Sequence, residues 1–173
     1  MEAYSITFDG RVLNRGFWLY VIAIDTPVGL LLYVGRTGDN SSANAASPFA
    51  RIGQHLDLRA NAKGNALTRN LRSVSIEPST CTMEMIAIGP LFPEEKSFEA
   101  HRSIRDRVAA LERALAARLK QQGHSVLGEH SSRVAVDENL LAEAAMLIEA
   151  RLRNRQPANK PLQATSGRPV GVE

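Results

Sequence analysis

Phe17-Trp18-Leu19-Tyr20-Val21-Ile22-Ala23-Ile24, then Asp25-Thr26-Pro27-Val28-Gly29, then Leu30-Leu31-Leu32-Tyr33-Val34-Gly35, is the stretch whose reading decides the fold. Two apolar runs containing β-branched and aromatic residues flank a Pro/Gly turn, and that pattern predicts an antiparallel hairpin. Next comes Pro48-Phe49-Ala50-Arg51-Ile52-Gly53-Gln54-His55-Leu56. It predicts a short helix in which Arg51 and His55, at i and i+4, share one face.

Working outward, Ser5-Ile6-Thr7-Phe8 predicts a short strand ahead of Asp9-Gly10. Residues 36–48, rich in Gly, Ser, Asn and Ala, read as a loop, 49–58 as the first helix and 65–73 as a second. Residues 81–88 alternate polar and apolar at first and predict a third core strand, stopped by Gly89-Pro90. From 97 to 122, Ile104, Val108, Leu111, Leu115 and Leu119 form an apolar stripe of helical period, with Gly123 as its stop. A last helix is expected over 137–153, capped by Asp137, with Leu140, Leu141, Ala144, Leu147, Ile148 and Leu152 as its apolar face. The order hairpin, helix, helix, strand, helix predicts an α/β (α+β) fold: a small, mainly antiparallel, three-stranded sheet flanked by helices. The expected organisation is a domain over 1–135, an amphipathic C-terminal helix over 136–154 and a disordered Pro/Gly-bearing tail over 155–173.

A chain of 173 residues most often forms one domain with a real core. No apolar run approaches the roughly 20 residues of a membrane span, and the N-terminus lacks the apolar segment of a secretory signal. The single cysteine, Cys81, lies in an apolar run and reads as a buried, inert thiol; cysteine usage fits a reducing, cytoplasmic setting. Net charge is only +3, but between residues 45 and 75 Arg51, Arg59, Lys63, Arg69 and Arg72 face the single acid Asp57. Such a local excess can track a phosphate backbone; on charge alone a solvated face is the favoured reading.

The same residues resemble the GIY-YIG nuclease family over about residues 16 to 130. Leu19-Tyr20 stands where that family has Ile-Tyr of its first motif, Tyr33-Val34-Gly35 for the second, and Arg51 with His55 for its Arg-x-x-x-His helix. Arg36-Thr37-Gly38-Asp39 is similar to the loop after the second motif. The resemblance implies a divalent metal, Mg²⁺ or Mn²⁺, on one glutamate of the long helix. The matching position is Glu112, which borders the buried stripe, with Glu99 as runner-up. A hard cation can be held by one carboxylate plus substrate phosphate. The resemblance further implies that Tyr33 activates the attacking water, that Tyr20 assists, that Arg51 stabilises charge on the phosphate and that His55 orients Tyr33 or moves a proton.

The implied activity is endonucleolytic cleavage of DNA. The alternative is a catalytically weak or inactive nucleic-acid-binding module on the same scaffold. Arg36, Thr37, Arg59, Lys63, Arg69 and Arg72 are the expected nucleic-acid contacts, and the 137–153 helix offers a surface for a homodimer or a protein partner. Three departures from the family pattern stand out: Trp18 replaces a glycine, the 36–48 loop is long, and the asparagine past the metal helix is missing, with His124 or His130 nearby. Ala-Asn-Lys-Pro-Leu-Gln-Ala-Thr-Ser-Gly-Arg, residues 158–168, resembles a translated recombination site of an integron gene cassette, which implies a bacterial source.

Overall fold

The computed structural model describes residues 3–38 and 44–155. Strands β1 (Phe17–Thr26) and β2 (Gly29–Arg36) form the expected hairpin, joined by Pro27-Val28, with Leu19 opposite Arg36 and Thr26 opposite Gly29. Strand β3 (Thr82–Phe92) pairs antiparallel with the other side of β1. Tyr20, Ile22 and Ile24 of β1 face one side of the sheet, and Leu19, Val21 and Ala23 face the other. Both sets are fully buried, as a central strand covered on both faces requires.

Helices supply the covers. α1 (Pro48–His55) and α2 (Ala66–Ser73) lie on the tyrosine side, where Ile52, Leu67 and Leu71 pack with Tyr20, Ile22 and Tyr33. α3 (Phe98–Gln121) and α4 (Glu138–Arg153) cover the opposite face through Leu111, Leu115, Leu119, Ala144, Ala145 and Ile148. Ser47, Ser97 and Asp137 cap α1, α3 and α4, each accepting a backbone N–H three residues on. α4 contacts α3, β1 and β3, and its buried residues belong to the same core as the sheet.

Several expectations are corrected. The sheet has four strands rather than three: β4 (Val126–Leu127) adds to β2 in parallel, giving the order β3-β1-β2-β4. Ser5–Phe8 is not a strand; the segment is exposed, and Phe8 rests on the Phe49 ring at 4.7 Å. The first regular element is instead a 3₁₀ turn, Gly10–Leu13. β3 does not stop at Gly89-Pro90 but runs on to Phe92, which pairs with Phe17 across a register shift. Cys81 is half-buried rather than buried and precedes β3; burial pushes its thiol pKa up. Leu147 of α4 is 42% exposed and lies off the buried face. The tail assigned to 155–173 begins with an ordered residue: Arg155 pairs with Asp25 and Glu84. The remainder of that tail, with the cassette-like wording, lies outside the described residues, as do residues 39–43 of the 36–48 loop. No helix among the described residues is long and apolar enough to cross a membrane.

Candidate functional site

The site begins with the Tyr20 hydroxyl, 2.7 Å from His55 Nε2 beneath α1. Both residues are almost completely buried. Burial is the main cause that lowers the His55 pKa, to about 4, and the Arg51 charge lowers it further. The ring is therefore neutral at neutral pH. Thr68 Oγ1 donates to the His55 carbonyl and ties α2 to the end of α1. Gly35, opposite Tyr20 across the hairpin, explains why that strand position lacks a side chain: a Cβ there would lie 2.5 Å from the Tyr20 ring.

Tyr33 meets the same imidazole edge-on, with ring centroids 5.2 Å apart and planes at 70°. It is 8% exposed, whereas Tyr20 is sealed at 0%. Tyr20 therefore touches His55 and does not reach solvent. Burial first, and then the Glu112 charge, push the Tyr33 pKa up to about 12, while Arg51, Arg69 and Arg36 pull it down. Burial also raises the Tyr20 pKa, and Arg51 opposes that rise. Arg51, one turn before His55 on α1, thus acts on Tyr20, Tyr33, His55 and Glu112 alike.

Glu112 arrives from the other side of the sheet. Strand parity puts α3 on the face opposite the tyrosines. The connection runs past the end of β2. β4 pairs only with Leu32 and Tyr33, so Val34 to Arg36 have no strand partner on that edge. There Arg36 Nε holds Glu112 Oε2 at 3.1 Å, and His130 Nε2 lies 3.0 Å from the Val34 carbonyl oxygen. The Glu112 side chain is 21% exposed. Desolvation raises its pKa, against the opposing charges of Arg36, His130 and Arg51.

The site thus brings together Tyr20, Tyr33, Arg51, His55, Arg36 and Glu112. Glu99 does not belong to it: it is exposed in the first turn of α3, thirteen residues from Glu112 and so about 20 Å away along the helix. Thr37 is corrected from a nucleic-acid contact to a scaffold residue. It is 1% exposed, and its hydroxyl donates to the Gly16 carbonyl while accepting from Trp18 N–H. Arg36 is likewise turned inward, toward Glu112 and the Gly38 carbonyl. Arg59 and Arg72 are on the surface but paired with Asp57 and Glu77. Lys63 and Arg69 are exposed and carry no ion pair among the described residues. Trp18 is buried, donates from Nε1 to the Asn14 carbonyl, and packs on Gly89. Of the two candidate histidines past α3, His130 reaches the site; its signal in the sequence was only its position after the helix.

No group of three or more His, Cys, Asp or Glu residues suited to a metal occurs among the described residues. Glu112 fits a site of another kind. Its second oxygen, Oε1, accepts no hydrogen bond among the described residues, and one carboxylate with water and substrate oxygens suffices for a hard cation. No family model matches this chain, and neither a curated protein nor a solved structure matches it.

Proposed function

We propose that this protein is a metal-dependent endonuclease of GIY-YIG type that hydrolyses phosphodiester bonds in DNA. The observation that carries this reading is the convergence of Tyr33, Arg51, His55 and Glu112 at one end of the hairpin, from helices on opposite faces of the sheet. Phosphodiester hydrolysis needs a positioned proton acceptor, a cation for the phosphate and charge stabilisation as the pentacoordinate centre forms. Arg51 provides a fixed guanidinium for the phosphate oxygens. Neutral His55, held by Tyr20, packs at a steep angle on the Tyr33 ring and limits its movement. Tyr33 takes the proton of the attacking water. Its phenol is held protonated by burial and by the Glu112 charge, so neutralising that charge favours the base form. Glu112 would hold a divalent cation, Mg²⁺ or Mn²⁺, which would supply Lewis-acid stabilisation of the phosphate.

One observation favours the second reading, a binding module with little or no activity: Arg36 already neutralises Glu112. Single-turnover cleavage of a labelled DNA duplex separates the two. Arg51→Ala and Tyr33→Phe are each expected to lower the rate by about 100-fold or more, the size of a lost charge-stabilising or general-base contribution, with the duplex still bound. Unchanged cleavage in both variants removes these residues from the chemistry. Salt-sensitive binding without cleavage by the wild type establishes the module instead.

A further inference from the structure

His130 follows β4 and turns its ring to the unpaired edge of β2, where Nε2 meets the Val34 carbonyl at 3.0 Å. A carbonyl only accepts, so Nε2 carries a proton. In the neutral ring the lone pair then belongs to Nδ1. That atom is buried and has no hydrogen-bond partner among the described residues. A buried polar atom without a partner asks for an explanation, an unplaced ion among them. Two residues along β2 from Val34, Arg36 holds Glu112, so ring and carboxylate are both tied to the last three residues of that strand.

Histidines that bind metals commonly donate their second N–H to a backbone carbonyl, which fixes the tautomer and aims the other nitrogen. His130 has that arrangement. We propose that His130 Nδ1 is a second ligand of the divalent cation beside Glu112, and that this nitrogen biases the site toward a transition-metal ion such as Mn²⁺ over Mg²⁺. The inference rests on the reading of Glu112 as a metal ligand. Carboxylate and water suit Mg²⁺, whereas imidazole suits transition ions. Arg36 bonds Oε2, so Oε1 is the oxygen that accepts no hydrogen bond among the described residues. With two protein ligands, the remaining positions belong to water and to a phosphate oxygen of the substrate.

The test uses the full chain and Mn²⁺ alone, without nucleic acid. Bound Mn²⁺ is counted by electron paramagnetic resonance, nitrogen coupling is read by spin echo, and Mg²⁺ affinity is measured by competition. The wild type is expected to bind one Mn²⁺ with ¹⁴N coupling, and Glu112→Gln to lose it. His130→Gln, whose amide can still donate to Val34, is expected to lose the coupling. Its Mn²⁺ affinity should fall by at least about tenfold, with Mg²⁺ affinity changed far less. The wild-type echo needs no variant, so a folding defect in His130→Gln cannot hide the answer. Mn²⁺ bound through Glu112 without nitrogen coupling, or with coupling that persists in His130→Gln, overturns the role of His130 and leaves the proposed function standing. A wild type that binds no Mn²⁺ at millimolar concentration overturns both.

Discussion

The 2.7 Å contact between Tyr20 and His55 sets the character of both residues. A phenol and an imidazole buried together must satisfy one another, because an unpaired buried polar group costs roughly 1–3 kcal/mol. The consequence for pH follows from the His55 pKa, lowered from the ordinary 6.5 to about 4. The unfolded chain protonates this imidazole below about pH 6.5, while the folded protein does not until about pH 4. Between those values the unfolded state binds more protons, so stability falls as pH falls, and above the window His55 contributes no slope. The total is on the order of 3 kcal/mol. Urea unfolding at several pH values, compared with His55→Gln, isolates the effect: the wild type should lose stability relative to the variant between pH 6.5 and 4. Parallel curves for the two proteins would show that His55 protonates freely.

At the scale of elements, α4 is part of the core. Ile148 is fully buried in the core that α4 shares with α3, β1 and β3, so Ile148→Ala should cost about 2–5 kcal/mol. Met146→Ala, at 59% exposed, should stay within about 0.5 kcal/mol. Thermal or denaturant unfolding reads both, and equal costs would mean that α4 does not pack as described. The sequence made the hairpin and the long helices legible because their periodicities extend over many residues. Tyr20, Tyr33, Arg51 and His55 were legible as a group because β1, β2 and α1 are close in sequence. β4 was not, since two residues carry no alternation. Ser5–Phe8 has strand-like alternation but no pairing partner, and a strand needs one. The Glu112 position came from the family resemblance, with helical periodicity in support, but its face followed from neither. Which side a distant helix covers depends on chain crossing, and the link to Tyr33 runs past the edge of β2, left unpaired where β4 ends. His130 as a site residue depends on the Val34 carbonyl, a backbone contact that no side-chain pattern announces.

For the whole molecule, charge distribution decides how the proposed nucleic-acid substrate would be held. The net charge is +3, and Arg36, Arg59 and Arg72 already have acidic partners. Lys63 and Arg69 are exposed and carry no ion pair among the described residues, and the Arg69 charge lowers the Tyr33 pKa. Each phosphate contact contributes about 0.9 to the slope of log affinity against log salt for duplex DNA. Arg69→Ala should therefore reduce that slope by about one, whereas Arg59→Ala should change it less. Fluorescence anisotropy at several salt concentrations measures both; equal slopes for the wild type and Arg69→Ala would move the binding surface elsewhere. The most direct test of the site as a whole is incubation of supercoiled plasmid with purified protein and Mg²⁺ or Mn²⁺, beside EDTA and Glu112→Ala controls. Nicking or linearisation that requires both the metal and Glu112 is the predicted result. Cleavage that persists in EDTA or in Glu112→Ala, or none by the folded wild type with either metal, would contradict it.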